Sequence, residues 1–285
     1  MAPASSLKCE TASVMIAADM QPSSAPCRAV FKQDIKLPQM VCFRVTRFCN
    51  AHCGFCLAPP DGGRHSSAST LKNRINWLLV RGVESIHFCG GEPTIHRQLP
   101  ELIAHVHSRG GKSRLTTNGI ALSDDLIYTL RSAATHVKVS LHGDQPHHDE
   151  IVGRSTFYSA TASIRRLLSA GVITSVQTTI VSGHLDVVPW MIGFCLRNQV
   201  RRVSFLPFIM RGSGYERRAE YGLTQAERRV LHRRVKDERR KHTGRVDIRL
   251  LDFNTRPIHV VEPDGRVILE GASEALDVLL TQIPV

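Results

Sequence analysis

Between residues 41 and 205 the chain alternates short apolar runs with longer stretches of helical period, and this alternation restricts the fold more than any other feature. Runs at 41–46, 85–89, 113–117, 136–141, 172–181 and 201–205 are rich in β-branched and aromatic residues and read as six strands. Between them, Leu71, Ile75, Leu78 and Leu79 keep a helical spacing, and the same spacing marks helices at about 99–108, 123–131, 159–170 and 187–197. Ser69 can cap the first helix and Gly82 end it; Ser123, followed by Asp124 and Asp125, opens the third. Strands that alternate with helices build a parallel sheet, either an open doubly wound sheet or a whole or partial (β/α) barrel. Both architectures gather ligands at the carboxyl ends of the strands. Five of those ends carry polar or glycine-rich clusters: a cysteine loop at 49–56, Gly90-Gly91-Glu92-Pro93, Thr116-Thr117-Asn118-Gly119, His142-Gly143-Asp144 and Ser182-Gly183-His184.

The first cluster carries the chemistry. Cys49, Cys53 and Cys56 stand at a C-x3-C-x2-C spacing directly after the first strand. Thiolates are soft donors suited to zinc, copper(I) and iron–sulfur clusters. A closed zinc site takes four ligands, and His52 lies too close to its neighbouring cysteines in the chain to converge with them. Three thiolates leave one coordination position open, as a site for chemistry requires. The chain has eight cysteines but no secretory signal at its start, which favours metal binding over disulfides and a cytoplasmic location. Cys9 and Cys27 fall in the leader, and Cys42, Cys89 and Cys195 sit in apolar patterns where cysteine acts as a small hydrophobe.

The flanks are less regular. Residues 1–36 read as a flexible leader, 37–210 as the core, and 211–285 as a basic extension packed on it. After 208 the reading gives a long basic helix at 223–242, a strand at 245–251, a hairpin turning at Pro263-Asp264-Gly265, and a closing helix at 273–282. Asp61-Gly62-Gly63 reads as a connector. The net charge of +12 favours anionic partners, and no apolar run is long enough to span a membrane.

Taken together, the cysteine triplet with Phe55 before its last member, the Gly-Gly-Glu-Pro turn after strand two and the Thr-Thr-Asn-Gly end of strand three resemble the radical S-adenosylmethionine (SAM) enzymes. The resemblance covers about residues 40–210 and implies an α/β fold, a partial (β/α)6 TIM-like barrel. It implies that Cys49, Cys53 and Cys56 hold a [4Fe–4S] cluster whose fourth iron binds SAM. It further implies SAM contacts from Phe55, Gly90, Gly91, Glu92, Pro93, Thr117, Asn118, Ser140, Arg154 and Thr179. The bound zwitterion needs an acceptor for its ammonium, which Glu92 or the carbonyls of Gly90 and Gly91 provide, and glycine lets the backbone come close. The implied reaction is reductive cleavage of SAM to a 5′-deoxyadenosyl radical that abstracts hydrogen, fed by an external electron donor such as flavodoxin or ferredoxin. No catalytic side chain is assigned.

The substrate is read from what surrounds that core. No cysteine follows Cys195, so a single cluster is expected, without the cysteine-rich extension of many peptide-modifying relatives. Arg211-Gly212-Ser213-Gly214 could grip a phosphate or carboxylate. These features favour a small anionic metabolite such as a nucleotide, nucleoside or sugar derivative. Peptide maturation is the second reading and RNA modification the third, weakened by the lack of interleaved aromatics. A non-enzymatic iron–sulfur sensor or scaffold is the remaining alternative.

Overall fold

The computed structural model describes residues 28–29, 35–60, 65–252 and 257–284. Most of the expected leader, with Cys9 and Cys27, and the connector at Asp61-Gly62-Gly63 lie outside the described residues. In chain order the elements are β1 (Arg28–Ala29), β2 (Met40–Thr46), α1 (Ala68–Leu79), β3 (Ser85–Gly90), α2 (Leu99–Ser108), β4 (Lys112–Thr117) and α3 (Asp124–Ser132). They continue as β5 (His136–Ser140), α4 (Gln145–Val152), α5 (Phe157–Ser169), β6 (Thr174–Ile180), α6 (Val187–Arg197) and β7 (Arg202–Pro207). The last part holds two single-turn helices, α7 (Ser213–Glu216) and α8 (Arg218–Tyr221), then α9 (Gln225–Lys241), β8 (Asp247–Leu250), β9 (Ile258–Val261), β10 (Arg266–Glu270) and β11 (Val278–Gln282).

All the strands join one sheet in the order β1-β11-β10-β9-β2-β3-β4-β5-β6-β7-β8. From β2 to β8 every neighbour pairs in parallel. Spatial order follows chain order throughout that run, with no reversal. A doubly wound sheet requires such a reversal, so the progression is that of a barrel. The expected partial parallel barrel is present, and it is longer than six strands. Helix α9 and strand β8, read from sequence as part of an appended segment, form one more helix–strand unit on β7. On the other side β9 pairs in parallel with β2, and β10 and β11 follow antiparallel.

Alternation along the strands separates two layers. Val41, Phe43 and Val45 of β2, with Ile86 and Phe88 of β3, are buried in the main core with Leu71, Ile75 and Leu78 of α1. The Phe43 and Phe88 rings meet edge to face at 6.1 Å. The alternate residues point the other way, and they are polar. His87 Nε2 lies 2.8 Å from Thr116 Oγ1, and Lys138 donates to Gln177 Oε1 at 3.0 Å. Cys42 and Cys89 also lie on this inner face, where hydrogen bonding to Cys89 and the neighbouring His87 hold the Cys42 thiol below its ordinary range. They are half-buried members of a polar interior rather than core hydrophobes; Cys195 is the buried one.

Three local readings change. The cap of α1 is Ser67, whose hydroxyl accepts from Thr70 N at 3.2 Å, and Ser69 falls inside the helix. Helix α4 was not expected at all. The closing helix at 273–282 is a short 3-10 turn (Glu274–Leu276) followed by β11, because Val278–Gln282 completes a ladder with β10. No helix among the described residues is long and apolar enough to cross a membrane.

Candidate active site

The carboxyl ends of β2 to β7 surround a cavity of about 230 Å³. Cys49, Cys53, Cys56 and Phe55 line one side; Gly90, Gly91, Glu92, Thr117 and Asn118 line the next; Ser140, His142, Gln177 and Thr179 complete it. Eleven of the thirteen residues singled out for cofactor or metal contacts thus meet in one place. Pro93 and Arg154 are outside the lining.

The glycines of the turn are crowded by the protein itself. Gly91 N donates to Thr46 O at 2.8 Å and Glu92 N to Phe48 O at 2.7 Å, tying β3's exit to β2's. A Cβ on Gly90 would stand 2.2 Å from Thr46 O, and one on Gly91 2.0 Å from Phe48 O. The close approach anticipated for the cofactor is therefore already made to the chain's own backbone. Pro93 opens the 3-10 turn (Pro93–Ile95), which Glu92 caps.

Glu92 is 1% exposed. Its Oε1 accepts from Thr94 N (3.0 Å), Thr94 Oγ1 (2.7 Å) and Thr117 Oγ1 (2.6 Å), and its Oε2 accepts from Asn118 N (2.7 Å). Burial raises its pKa, and these bonds oppose that shift. The carboxylate thus laces β3 to β4, and Oε2 keeps one lone pair for a ligand's ammonium. Asn118 Nδ2 reaches Asn50 Oδ1 at 2.7 Å and lies 4.0 Å from Cys49 Sγ, joining the third strand end to the cysteine loop.

The loop itself is fastened to the unexpected helix. His52 N donates to Val152 O (3.1 Å) and Gly54 N to Ile151 O (3.2 Å), so the last carbonyls of α4 are satisfied by the segment between the cysteines. Gly153 closes α4 at φ +70°, and a Cβ there would lie 3.0 Å from His52 O. Arg154 Nη1 donates to Asn50 O at 2.7 Å. The exposed guanidinium, expected from the resemblance to contact SAM, is outside the cavity lining and grips the cysteine loop. Phe55 packs toward a small apolar cluster of Ile151, Val181, Phe208 and Tyr221.

Sequence reasoning placed His142 at a strand end without a role and missed His148. His142 Nδ1 accepts from Thr179 N at 3.1 Å, so the ring proton of the neutral form sits on Nε2. His142 N donates to His148 Nδ1 (3.2 Å), and His148 Nε2 meets Thr156 Oγ1 (3.1 Å). Burial, and then the neighbouring His148, hold His142 well below its ordinary pKa; burial brings His148 down to about 4. The Phe55 ring meets His142 edge-on at 4.8 Å. Their signal in the sequence was the density of histidine and aspartate at 142–149, which forms α4 and its approach.

The three thiols fit a cluster. Burial raises all three pKa values, and for Cys53 the charges of Cys56 and Cys49 add to it. Three thiolates gathered in one lining require a cationic partner. Among the described residues no group of three His, Cys, Asp or Glu side chains is placed to share a single metal ion. A cluster asks for a different arrangement, in which each thiolate meets its own iron.

A parallel partial barrel with a three-cysteine loop at its carboxyl face defines a class of protein, and comparison specifies it. Residues 43–187 match the model of the Radical SAM superfamily, about half of the chain. The chain belongs to that superfamily, whose members are enzymes that use a [4Fe–4S] cluster and SAM. It is 24% identical over 212 residues to a PqqA peptide cyclase of Streptomyces rochei, covering 73% of this chain and 58% of that protein. It is 27% identical over 189 residues to an Fe-coproporphyrin III synthase of Methanosarcina barkeri, covering 65% and 47%. The chain thus spans about half of the length of these relatives. Among solved structures, SuiB of Streptococcus suis bound to its precursor peptide SuiA superposes with a TM-score of 0.72 at 16% identity, over 82% of this chain and 59% of SuiB. The structure of anSMEcpe with bound AdoMet and a peptide superposes at 0.68 and 17% identity, over 81% and 73%.

Proposed function

We propose that this radical SAM enzyme acts on a peptide. The observation that carries the reading is the match to PqqA peptide cyclases over 73% of the chain. The small anionic metabolite expected from sequence loses its main support in the structure. Arg211, the residue meant to grip it, directs Nη1 and Nη2 to the two carboxylate oxygens of Asp277, each at 2.7 Å. A small-molecule substrate remains the second reading, favoured by the match to an Fe-coproporphyrin III synthase.

In this proposal Cys49, Cys53 and Cys56 hold the cluster, and Gly90, Gly91 and Glu92 Oε2 receive the methionyl ammonium. Thr117, Asn118, Ser140, Thr179 and Phe55, which line the same cavity, would contact the rest of SAM. When bound, the two cofactors supply one-electron cleavage of a sulfonium and hydrogen abstraction from an unactivated carbon. The chain's own contribution is enclosure and fixed dipoles. His142, neutral and locked in one tautomer, presents an Nε2–H to the cavity lining, and Glu92 remains a tethered acceptor. The ends of β2 to β7 line the cavity in which these groups stand.

The test is anaerobic reconstitution with iron and sulfide, followed by dithionite and SAM, with and without a short peptide encoded beside the gene. Formation of 5′-deoxyadenosine together with a mass change in the peptide is expected. Turnover that responds to a carboxylated tetrapyrrole and leaves the peptide unaltered would establish the second reading instead.

A further inference from the structure

The cysteine loop is held at two ends by unrelated parts of the chain. Around Asn50, His52 and Gly54 the holders are the end of α4 and Arg154. At Cys56 the holder is the turn after β7. Ser213 N donates to Cys56 O at 3.0 Å. Gly212, at φ +58°, packs so closely that a Cβ would lie 2.4 Å from the same oxygen.

That turn is in its turn held by the segment between β10 and β11. Glu274 Oε1 accepts from Gly212 N at 2.7 Å. Asp277 takes both terminal nitrogens of Arg211 at 2.7 Å, and its Oδ1 also accepts from Gly271 N at 3.0 Å. Arg211 Nη2 lies 3.4 Å from Glu270 as well. A bidentate arginine–carboxylate pair fixes orientation as well as distance. Neither carboxylate lines the cavity. The β10–β11 ladder is complete without them.

We propose that Asp277 and Glu274 are positioning residues for Cys56: they clasp the turn at 211–213, and the turn sets where the third thiolate of the cluster stands. The inference rests on the reading of Cys49, Cys53 and Cys56 as the cluster ligands. It gives the C-terminal segment, which has no cysteine of its own, a task at the cluster. The clasp acts at one ligand of three, so its loss loosens the cluster without removing a donor.

The test uses the full chain, reconstituted anaerobically with iron and sulfide, and follows bleaching of the cluster by a ferrous chelator. The electron paramagnetic resonance spectrum of the reduced cluster is recorded beside it. With charge-assisted bonds lost at the turn, Asp277→Asn and Glu274→Gln together should release iron about tenfold faster and alter the spectrum. Asp277→Glu should recover part of the loss. Glu274 is exposed. Glu274→Gln should therefore keep the melting temperature of the apo-protein, and it carries the test alone if Asp277→Asn melts early. Asp264→Asn is the control, because the Asp264 side chain bonds Arg266 N and Nε in its own hairpin and makes no bond to the 211–213 turn. Release at the wild-type rate in the variants, or equal acceleration by Asp264→Asn, overturns the clasp. A wild-type protein that takes up no cluster overturns the ligand reading beneath it.

Discussion

Replacing Glu92 by glutamine keeps the side chain's shape and turns one of its two acceptors into a donor. Four donors converge on that carboxylate, so one of them then faces another donor with no water to relieve it. The expected cost is about 2 kcal/mol, read as a fall of about 5 °C in the melting temperature of the apo-protein. Cys49→Ala, Cys53→Ala and Cys56→Ala should each abolish the brown chromophore after reconstitution, while Cys195→Ala, at a buried helix position, should keep it. Acid should unfold the protein early. His142 and His148 have folded pKa values below the ordinary 6.5, so their contribution is intact above 6.5 and is lost as pH falls toward about 4. Melting temperature should therefore decline across that window, and His148→Gln should make the decline shallower; an unchanged slope would remove His148 from the account. The meeting of the three cysteines in one lining was legible because they stand at short spacing directly after a strand. Arg154 and Arg211 were not, because each found its partner 104 and 66 residues away, and spacing carries no record of such encounters.

At the scale of elements, the turn after β3 offers a controlled comparison. Gly91→Ala drives a Cβ to 2.0 Å from Phe48 O, in the segment that leads into the cysteine loop. Gly82→Ala meets nothing within 4 Å and bears only the strain of φ +85°, about 1–2 kcal/mol. Gly91→Ala should thus lose both soluble yield and iron content, and Gly82→Ala should load its cluster normally at a slightly lower melting temperature. The strand–helix alternation was legible because each unit buries one face, which leaves a period in the sequence. Helix α4 left almost none: Gln145–Val152 has only two apolar side chains beyond its proline, and its buried face includes His147 and His148. The segment 273–282 failed for the opposite reason. Its apolar residues suit a helix or a strand equally, and pairing with β10 decided between them.

Across the whole molecule, the appended strands are joined to the barrel by buried charge. Arg44 of β2 binds Glu262 and, at 2.6 Å, Glu270, and Arg211 carries the chain of pairs on to Asp277. Glu270→Ala leaves Arg44 and Arg211 each short of a partner at positions 6% exposed. Urea unfolding should show a loss of about 3–5 kcal/mol. The exposed Arg217–Glu220 pair is the contrast: its removal should leave the urea midpoint nearly unchanged. That residues 211–285 add a helix–strand unit to the barrel and then brace it was hidden, because the strand order that joins β8 to β7 and β9 to β2 leaves no trace in the segment's own composition.

The two-ended fastening of the cysteine loop also sets an order of events during synthesis. The loop is translated early, yet its anchors arrive at Val152, then at Ser213, and finally at Glu274 and Asp277. A ribosome releases the chain vectorially, and contacts so distant in sequence form late. Iron offered to the nascent polypeptide would meet three thiols with no fixed relation to one another. On the proposed clasp, cluster loading should follow emergence of the chain through Asp277, and a chain truncated before that point should keep all three cysteines of the loop yet hold iron poorly after reconstitution.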